Sequence, residues 1–283
     1  MTITDGKNFF LKSLKKIYSV EEVSYYYKII VSEVFERNIS QLALNPNSIL
    51  KKSECIFLNK AVKDLLVQRP IQYIIRKAFF RSLTLNVNEN VLIPRQETEE
   101  LVNWVIEDFR DNSNKNKMID IGTGSGCIAI SLAKELKNNI IYGLDNDDSI
   151  LDLARQNSKN NNVYVNFFRK DINFLNSLNL KIDVVVSNPP YVLNKEKKNM
   201  KLNVLNHEPH KAIFVNDEDP LKFYRLILDY SKLNLKKSGL IYFEINPLLI
   251  RHLKRLISEY NFKIKQRIDI FGKVRMLCLQ KSL

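Results

Sequence analysis

Residues Ile182 to Val186 form an apolar, β-branched run broken only by Asp183, and the run leads directly into Asn188-Pro189-Pro190-Tyr191. An apolar run without polar alternation fits a strand covered on both faces, as in a parallel sheet. This constrains the rest of the chain, because parallel neighbours require long crossover connections, usually helical. The two prolines stop the ladder and fix φ, so Asn188 and Tyr191 are held in a set relation just past the carboxyl end of the strand. Open α/β sheets bind ligands there. The Asn188 side-chain carbonyl and the backbone carbonyl of Pro189 are both acceptors, and Pro189 has no N–H. Such a pair suits a planar amino group with the Tyr191 ring against its face. A rigid turn with a packed tyrosine is the competing reading, since Asn-Pro is also a turn signal.

Upstream segments favour the first reading. Gly122, Thr123, Gly124, Ser125 and Gly126 make a G-x-G-x-G loop between a short apolar strand containing Asp120 and an apolar helical start at Cys127. Glycines there let the backbone turn close to a ligand. The spacing differs from the G-x-G-x-x-G of dinucleotide folds. A strand at Ile140 to Leu144 ends in Asp145, about 20 residues past the loop, where an acid can accept from both ribose hydroxyls. A third strand, Val163 to Phe168, leads to Asp171 and Ile172, an acid and an apolar wall for adenine. Together with Asn188 these residues form the layout of an S-adenosylmethionine site.

Two further stretches, Val91-Leu-Ile-Pro-Arg-Gln-Glu-Thr-Glu99 and His207-Glu-Pro-His-Lys-Ala212, are close to the I-P-R-P-E-T-E and E-P-x-x-A marks of a known family. With Asn188-Pro189-Pro190-Tyr191 they make the chain, from about Arg69 onward, resemble the HemK/PrmC-type methyltransferases. Those enzymes methylate the side-chain amide nitrogen (N5) of the glutamine in the Gly-Gly-Gln loop of peptide chain release factors. The resemblance implies a Rossmann-like, seven-stranded α/β sheet with its last strand antiparallel, preceded by a small helical-bundle domain. It implies S-adenosyl-L-methionine as donor, S-adenosyl-L-homocysteine as product and class I bacterial release factors as partners. Asn188, Pro189 and Tyr191 would be catalytic, with Pro190, Arg95 and Glu97 on the substrate side. The chain departs from the family at Arg76 (usually Gly), at Gln96 (usually Pro) and at Glu244-Ile-Asn246 (usually E-x-G), which leaves Glu244 without an assigned role. An amino-group methyltransferase acting on adenine N6 or guanine N2 of DNA or RNA would share Asn-Pro-Pro-Tyr, and a cofactor-binding assembly factor without turnover is a third reading.

Domain organisation follows from periodicity. Residues 1–76 read as a helical bundle for substrate recognition, with a Ser19/Glu22 capping box opening a helix that runs toward Arg37. Leu58, Ala61, Val62, Leu65 and Leu66 form one apolar stripe, and Asn45-Pro46-Asn47 is the one sharp break. Residues 77–94 read as a β-hairpin linker, with Leu83, Leu85 and Val87 paired to Val91–Ile93 across Asn88-Glu89-Asn90. Residues 95–283 are the catalytic domain, in which Thr98 remains with Arg95 and Glu97 from the family's motif, a plain helix N-cap being the competing reading, and 194–216 reads as a Lys-rich loop over the site. The short connection from Asp269 to Lys273 makes the final strand pair antiparallel.

Composition sets the setting. Three scattered cysteines with no C-x-x-C point to a reducing, cytoplasmic compartment without zinc, and His207 and His210 lack the further ligands a metal needs. No apolar run approaches the roughly 18 residues of a membrane helix and no signal pattern opens the chain, so a soluble protein is expected, and a monomer is the expected state. The net charge of +13 and pI near 9.5 fit a nucleic-acid partner in principle. The Lys residues are dispersed, however, and a solvated surface or an acidic protein partner explains them without nucleic acid.

Overall fold

The computed structural model describes residues 1–38, 45 and 47–281. Its strands are β1 (Lys77–Phe80), β2 (Leu83–Asn86), β3 (Lys117–Ile121), β4 (Ile140–Asp145), β5 (Asn166–Arg169), β6 (Ile182–Ser187), β7 (Val192–Leu193), β8 (Phe214–Val215), β9 (Leu235–Glu244), β10 (Phe262–Ile268) and β11 (Val274–Lys281). Seven of them form one sheet in the order β10-β11-β9-β6-β3-β4-β5. β11 is antiparallel to β10 and β9, and the remaining pairs are parallel. The expected sheet with a reversed last strand is therefore present.

β6 lies at the centre for the reason its composition gives. Val184 and Val186 pack into the core layer that includes Leu101, Val105 and Ile130, whereas Ile182 and Val185 pack into the opposite layer with Ile227, Leu228 and Leu253. All four are fully buried, each contributing about 1.5–3 kcal/mol relative to exposure. The strand alternates between two apolar layers, so no polar alternation is visible.

The chain divides into two compact units, residues 1–77 with 201–207, and residues 78–200 with 208–283. The first holds helices Ile3–Leu14, Val20–Glu33, Lys52–Leu66, Ile71–Ile75 and Leu202–His207. Capping boxes at Thr2/Asp5 and Ser19/Glu22 start the first two. The second helix stops short of Arg37, because Glu36 is left-handed (φ 54) and the Arg37 guanidinium reaches both oxygens of the buried Glu54 at 3.0 and 2.6 Å. Leu58, Ala61, Val62 and Leu65 face the core with Phe10, Leu14 and Ile30, while Leu66 is 45% exposed and lies off the stripe. Of the expected break at Asn45-Pro46-Asn47, Pro46 lies outside the described residues.

Arg76 caps helix Ile71–Ile75 in the left-handed region (φ 57, ψ 26), which explains why glycine suits this position. Arg76→Gly is expected to raise stability by about 0.5–1 kcal/mol, read as a shift in urea midpoint at unchanged slope.

Several elements differ from the sequence reading. The hairpin is β1 with β2, turning at Arg81 (φ 52), whose N–H donates to Glu99 at 2.8 Å. Val91 and Ile93 are buried without joining a ladder. β5 starts later than expected because Val163 is still tied to the preceding helix: its N–H donates to the Ser158 carbonyl, and its own carbonyl accepts from Ser158 Oγ. The expected loop at 194–216 is folded. Parallel pairing of β7 with β8 closes it, and Asp217 accepts from the N–H groups of Asn194 and Lys195. Within it, His207 Nε2 lies 2.8 Å from the Val67 carbonyl and the His210 ring packs edge-on to Phe214. No helix among the described residues is long and apolar enough to cross a membrane.

Candidate active site

From β3 the chain steps to β4 and β5 on one side and then returns to place β6 on the other. The point where strand order reverses lies between β3 and β6, and open α/β sheets bind ligands beyond the carboxyl ends at such a point. The glycine loop follows β3, Asp145 ends β4, Asn188 follows β6 and Glu244 ends β9. Asp171 follows β5 at the sheet edge. The sequence-predicted residues thus stand on adjacent strand ends.

The loop is held from beneath. Asp120 is fully buried in β3, and its Oδ2 accepts from Thr123 Oγ1 at 2.7 Å and from the Ala129 N–H at 3.3 Å. Gly122 and Gly124 have φ of 78 and 52, and a Cβ on either would meet no atom within 4 Å, so the loop presents bare backbone to open space. The Thr123 and Ser125 side chains are buried instead, which leaves these two residues only backbone to offer a ligand. Asn157, fully buried in helix Asp148–Asn160, donates to the Ser125 carbonyl at 2.9 Å and exchanges bonds with the Asn86 backbone. Nothing in the local sequence announces that role.

Asp145 bridges loop and strand end, its Oδ2 accepting from the Gly124 N–H and its Oδ1 from the Asn146 N–H, each at 2.9 Å. Asp171 caps a short 3-10 helix, with Oδ1 accepting from the Asn173 N–H and side-chain amide. Ile172 packs, partly buried, against the core beside it.

The Asn188 to Tyr191 stretch is anchored by residues outside it. Tyr191 OH donates to Glu244 Oε1 at 2.7 Å, Thr98 Oγ1 donates to Glu244 Oε2 at 2.6 Å, and Asn188 Nδ2 donates to Thr98 Oγ1 at 3.0 Å. Thr98 is not an N-cap. Helix Gln96–Phe109 starts from Arg95 without a side-chain cap bond, and Thr98 turns inward at 2% exposure. The departure of Glu244-Ile-Asn246 from E-x-G conceals this role of Glu244 in the sequence. A useful signal was present, namely an acid ending an apolar strand, the same pattern as Asp145.

Arg95 joins the two flanking motifs: its Nη2 lies 2.6 Å from Oε1 of the buried Glu208, whose Oε2 accepts from the Ile93 N–H at 3.4 Å. Glu97 is partly buried near Glu244, and its charge helps raise the Glu244 pKa.

Burial dominates the electrostatics. It pushes the Asp120 carboxyl up to about 7 against the bonds from Thr123 and Ala129, and it also raises Asp145 and Glu244 above the ordinary carboxylate range. Tyr191 is held well above its usual value by burial and the neighbouring Glu244. A cation entering among these carboxylates would favour their ionised forms.

The methyltransferase small domain profile matches residues 98–211. A release factor glutamine methyltransferase of Flavobacterium psychrophilum is 42% identical over 280 residues, 98% of each chain. One of Bacteroides thetaiotaomicron is 37% identical over 268 residues, 94% of this chain and 95% of that protein. Among solved structures, a T. thermophilus 16S rRNA methyltransferase in complex with AdoMet and guanosine superposes with a TM-score of 0.54 at 15% identity, covering 73% of this chain and 50% of that one.

Proposed function

The chain belongs to the release factor glutamine methyltransferase family, and we propose that it methylates the N5 amide nitrogen of the glutamine in the Gly-Gly-Gln loop of class I bacterial release factors. S-adenosyl-L-methionine is the proposed donor and S-adenosyl-L-homocysteine the product. The observation that carries the reading is the rigid Asn188-Pro189-Pro190-Tyr191 stretch beside a bare glycine loop on the neighbouring strand.

The residues fit the donor. The Gly122 and Gly124 backbone has open space above it, Asp145 has acceptor capacity for ribose hydroxyls, and the buried Asp120 and Glu244 with the partly buried Asp145 suit a cation. Asp171 and Ile172 would bound the adenine. When bound, S-adenosylmethionine supplies an electrophilic methyl group on a positively charged sulfur.

An amide nitrogen is a weak nucleophile because its lone pair is delocalised into the carbonyl. Asn188 Oδ1 and the Pro189 carbonyl accept its two hydrogens, shift density back onto nitrogen and fix its direction, while Tyr191 covers its face. Positioning and fixed acceptor dipoles supply the rate; the nitrogen–carbon bond forms as the sulfur–methyl bond breaks, and the methylated nitrogen sheds its surplus proton to solvent, with no basic side chain needed. Pro190 holds the turn, and Arg95 and Glu97 shape the substrate side. Residues 1–76 recognise the protein substrate, 77–94 link the units, and the enzyme works as a cytoplasmic monomer alongside its substrate.

The test offers radiolabelled S-adenosylmethionine to purified release factor, tRNA, rRNA and DNA in parallel. Label is expected in the release factor glutamine; label confined to nucleic acid would overturn the reading.

A further inference from the structure

Thr98 has one hydroxyl proton, and it points to Glu244, Oγ1 lying 2.6 Å from Glu244 Oε2 with both residues buried. With that proton committed, Thr98 Oγ1 can only accept from its other partner, Asn188 Nδ2 at 3.0 Å. The Asn188 amide therefore has its NH2 end on Thr98, and among the described residues no hydrogen bond is made to its Oδ1 end. The reverse orientation would require Thr98 to donate to Asn188 Oδ1, leaving a buried carboxylate oxygen without its donor. A charge-assisted bond is roughly twice as strong as a neutral one, so the observed orientation wins. The other oxygen of the same carboxylate accepts from Tyr191 OH at 2.7 Å. One side chain on β9 thus fixes both ends of a stretch that follows β6.

We propose that Glu244, acting through Thr98, is the positioning residue that decides which end of the Asn188 amide meets the substrate. The proposal rests on the reading of Asn188 as acceptor for the glutamine amide. Thr98 and Glu244 are not catalytic themselves, since neither needs to touch the reacting atoms. Glu244→Gln should disturb the arrangement without emptying the space. A glutamine has one carbonyl oxygen for two donors, so its NH2 must face Thr98 or Tyr191. If it faces Thr98, the hydroxyl proton is released toward Asn188 and the amide turns over.

Single-turnover methylation of release factor, cofactor affinity by calorimetry and thermal unfolding would be measured for Thr98→Val, Thr98→Ser, Glu244→Gln, the double variant Thr98→Val/Glu244→Gln, and Asn188→Ala. Thr98→Val is expected to be about 10- to 100-fold slower, a smaller loss than at Asn188 itself, with cofactor affinity within about threefold of wild type. Thr98→Ser keeps the hydroxyl and should recover most of the rate. The double variant should be no slower than the slower single one, because both act through one chain of bonds. Thr98→Val at wild-type rate beside an inactive Asn188→Ala would refute the relay and leave the role of Asn188 intact. A fully active Asn188→Ala would remove both. Should Thr98→Val fail to fold, the double variant Thr98→Val/Glu244→Gln decides, because it removes the hydroxyl and the buried charge together: a rate within about threefold of wild type overturns the proposal.

Discussion

Asn188→Ala is expected to lose about 10²- to 10³-fold in single-turnover rate, roughly 3–4 kcal/mol, while binding S-adenosylmethionine nearly as tightly as wild type. On the proposed reading its Oδ1 does one thing, which is to accept an amide hydrogen, and that bond tightens as positive charge develops on nitrogen. Its loss therefore falls on turnover rather than on the ground state. The side chain is half-buried and its protein bond is the one to Thr98, so the truncated protein should remain folded. Asn188→Asp is the sharper companion. It keeps an acceptor but loses the NH2 that pairs with Thr98, and it sets a second carboxylate on Thr98 beside Glu244. Donor affinity should hold or rise while the rate falls. Retention by Asn188→Ala of more than about a tenth of the wild-type rate would end the amide-clamp mechanism, because that loss is far below what removing such a partner costs.

Asp145→Ala should weaken S-adenosylmethionine binding by about 1 to 3 kcal/mol, or about 5- to 150-fold, in calorimetric titration. Two effects add in this variant. The ribose hydroxyls lose their acceptor, and the Gly124 N–H loses the carboxylate that orders the loop. Asp145→Asn retains one oxygen for Gly124 and should fall between the two. Binding by Asp145→Ala within about twofold of wild type would place the ribose elsewhere, since a lost hydrogen bond to a charged group costs more than that.

The centre of the fold was readable because one physical property marks it. A β-branched run with no polar alternation can only be covered on both faces, and β6 alternates between two apolar layers. Asp145 and the glycine loop were readable because strand, turn and acid follow each other closely in sequence. The reversed β11 was readable from its short connection. The hairpin was misplaced because Leu83, Leu85 and Val87 do alternate, but Lys77–Phe80 pairs with them without a strong pattern of its own. The support beneath the site was not legible. Thr98 and Glu244 are 146 residues apart, and Arg95 and Glu208 are 113 apart. Local propensity assigned Thr98 to a helix cap, and only the sheet order, which sets β9 beside β6, shows what its hydroxyl reaches.

The carboxylates at these strand ends, Asp120 and Glu244 buried and Asp145 partly so, also bear on how the charge of a ligand is felt. On the proposed reading the donor arrives with a positive charge on sulfur and departs as a neutral thioether, while Asp120, Asp145 and Glu244 stay where they are. Burial raises all three carboxyls, and a positive sulfur close to them would favour their ionised forms in a way that a neutral thioether would not. Charge is thus one property by which these strand ends can tell donor from product.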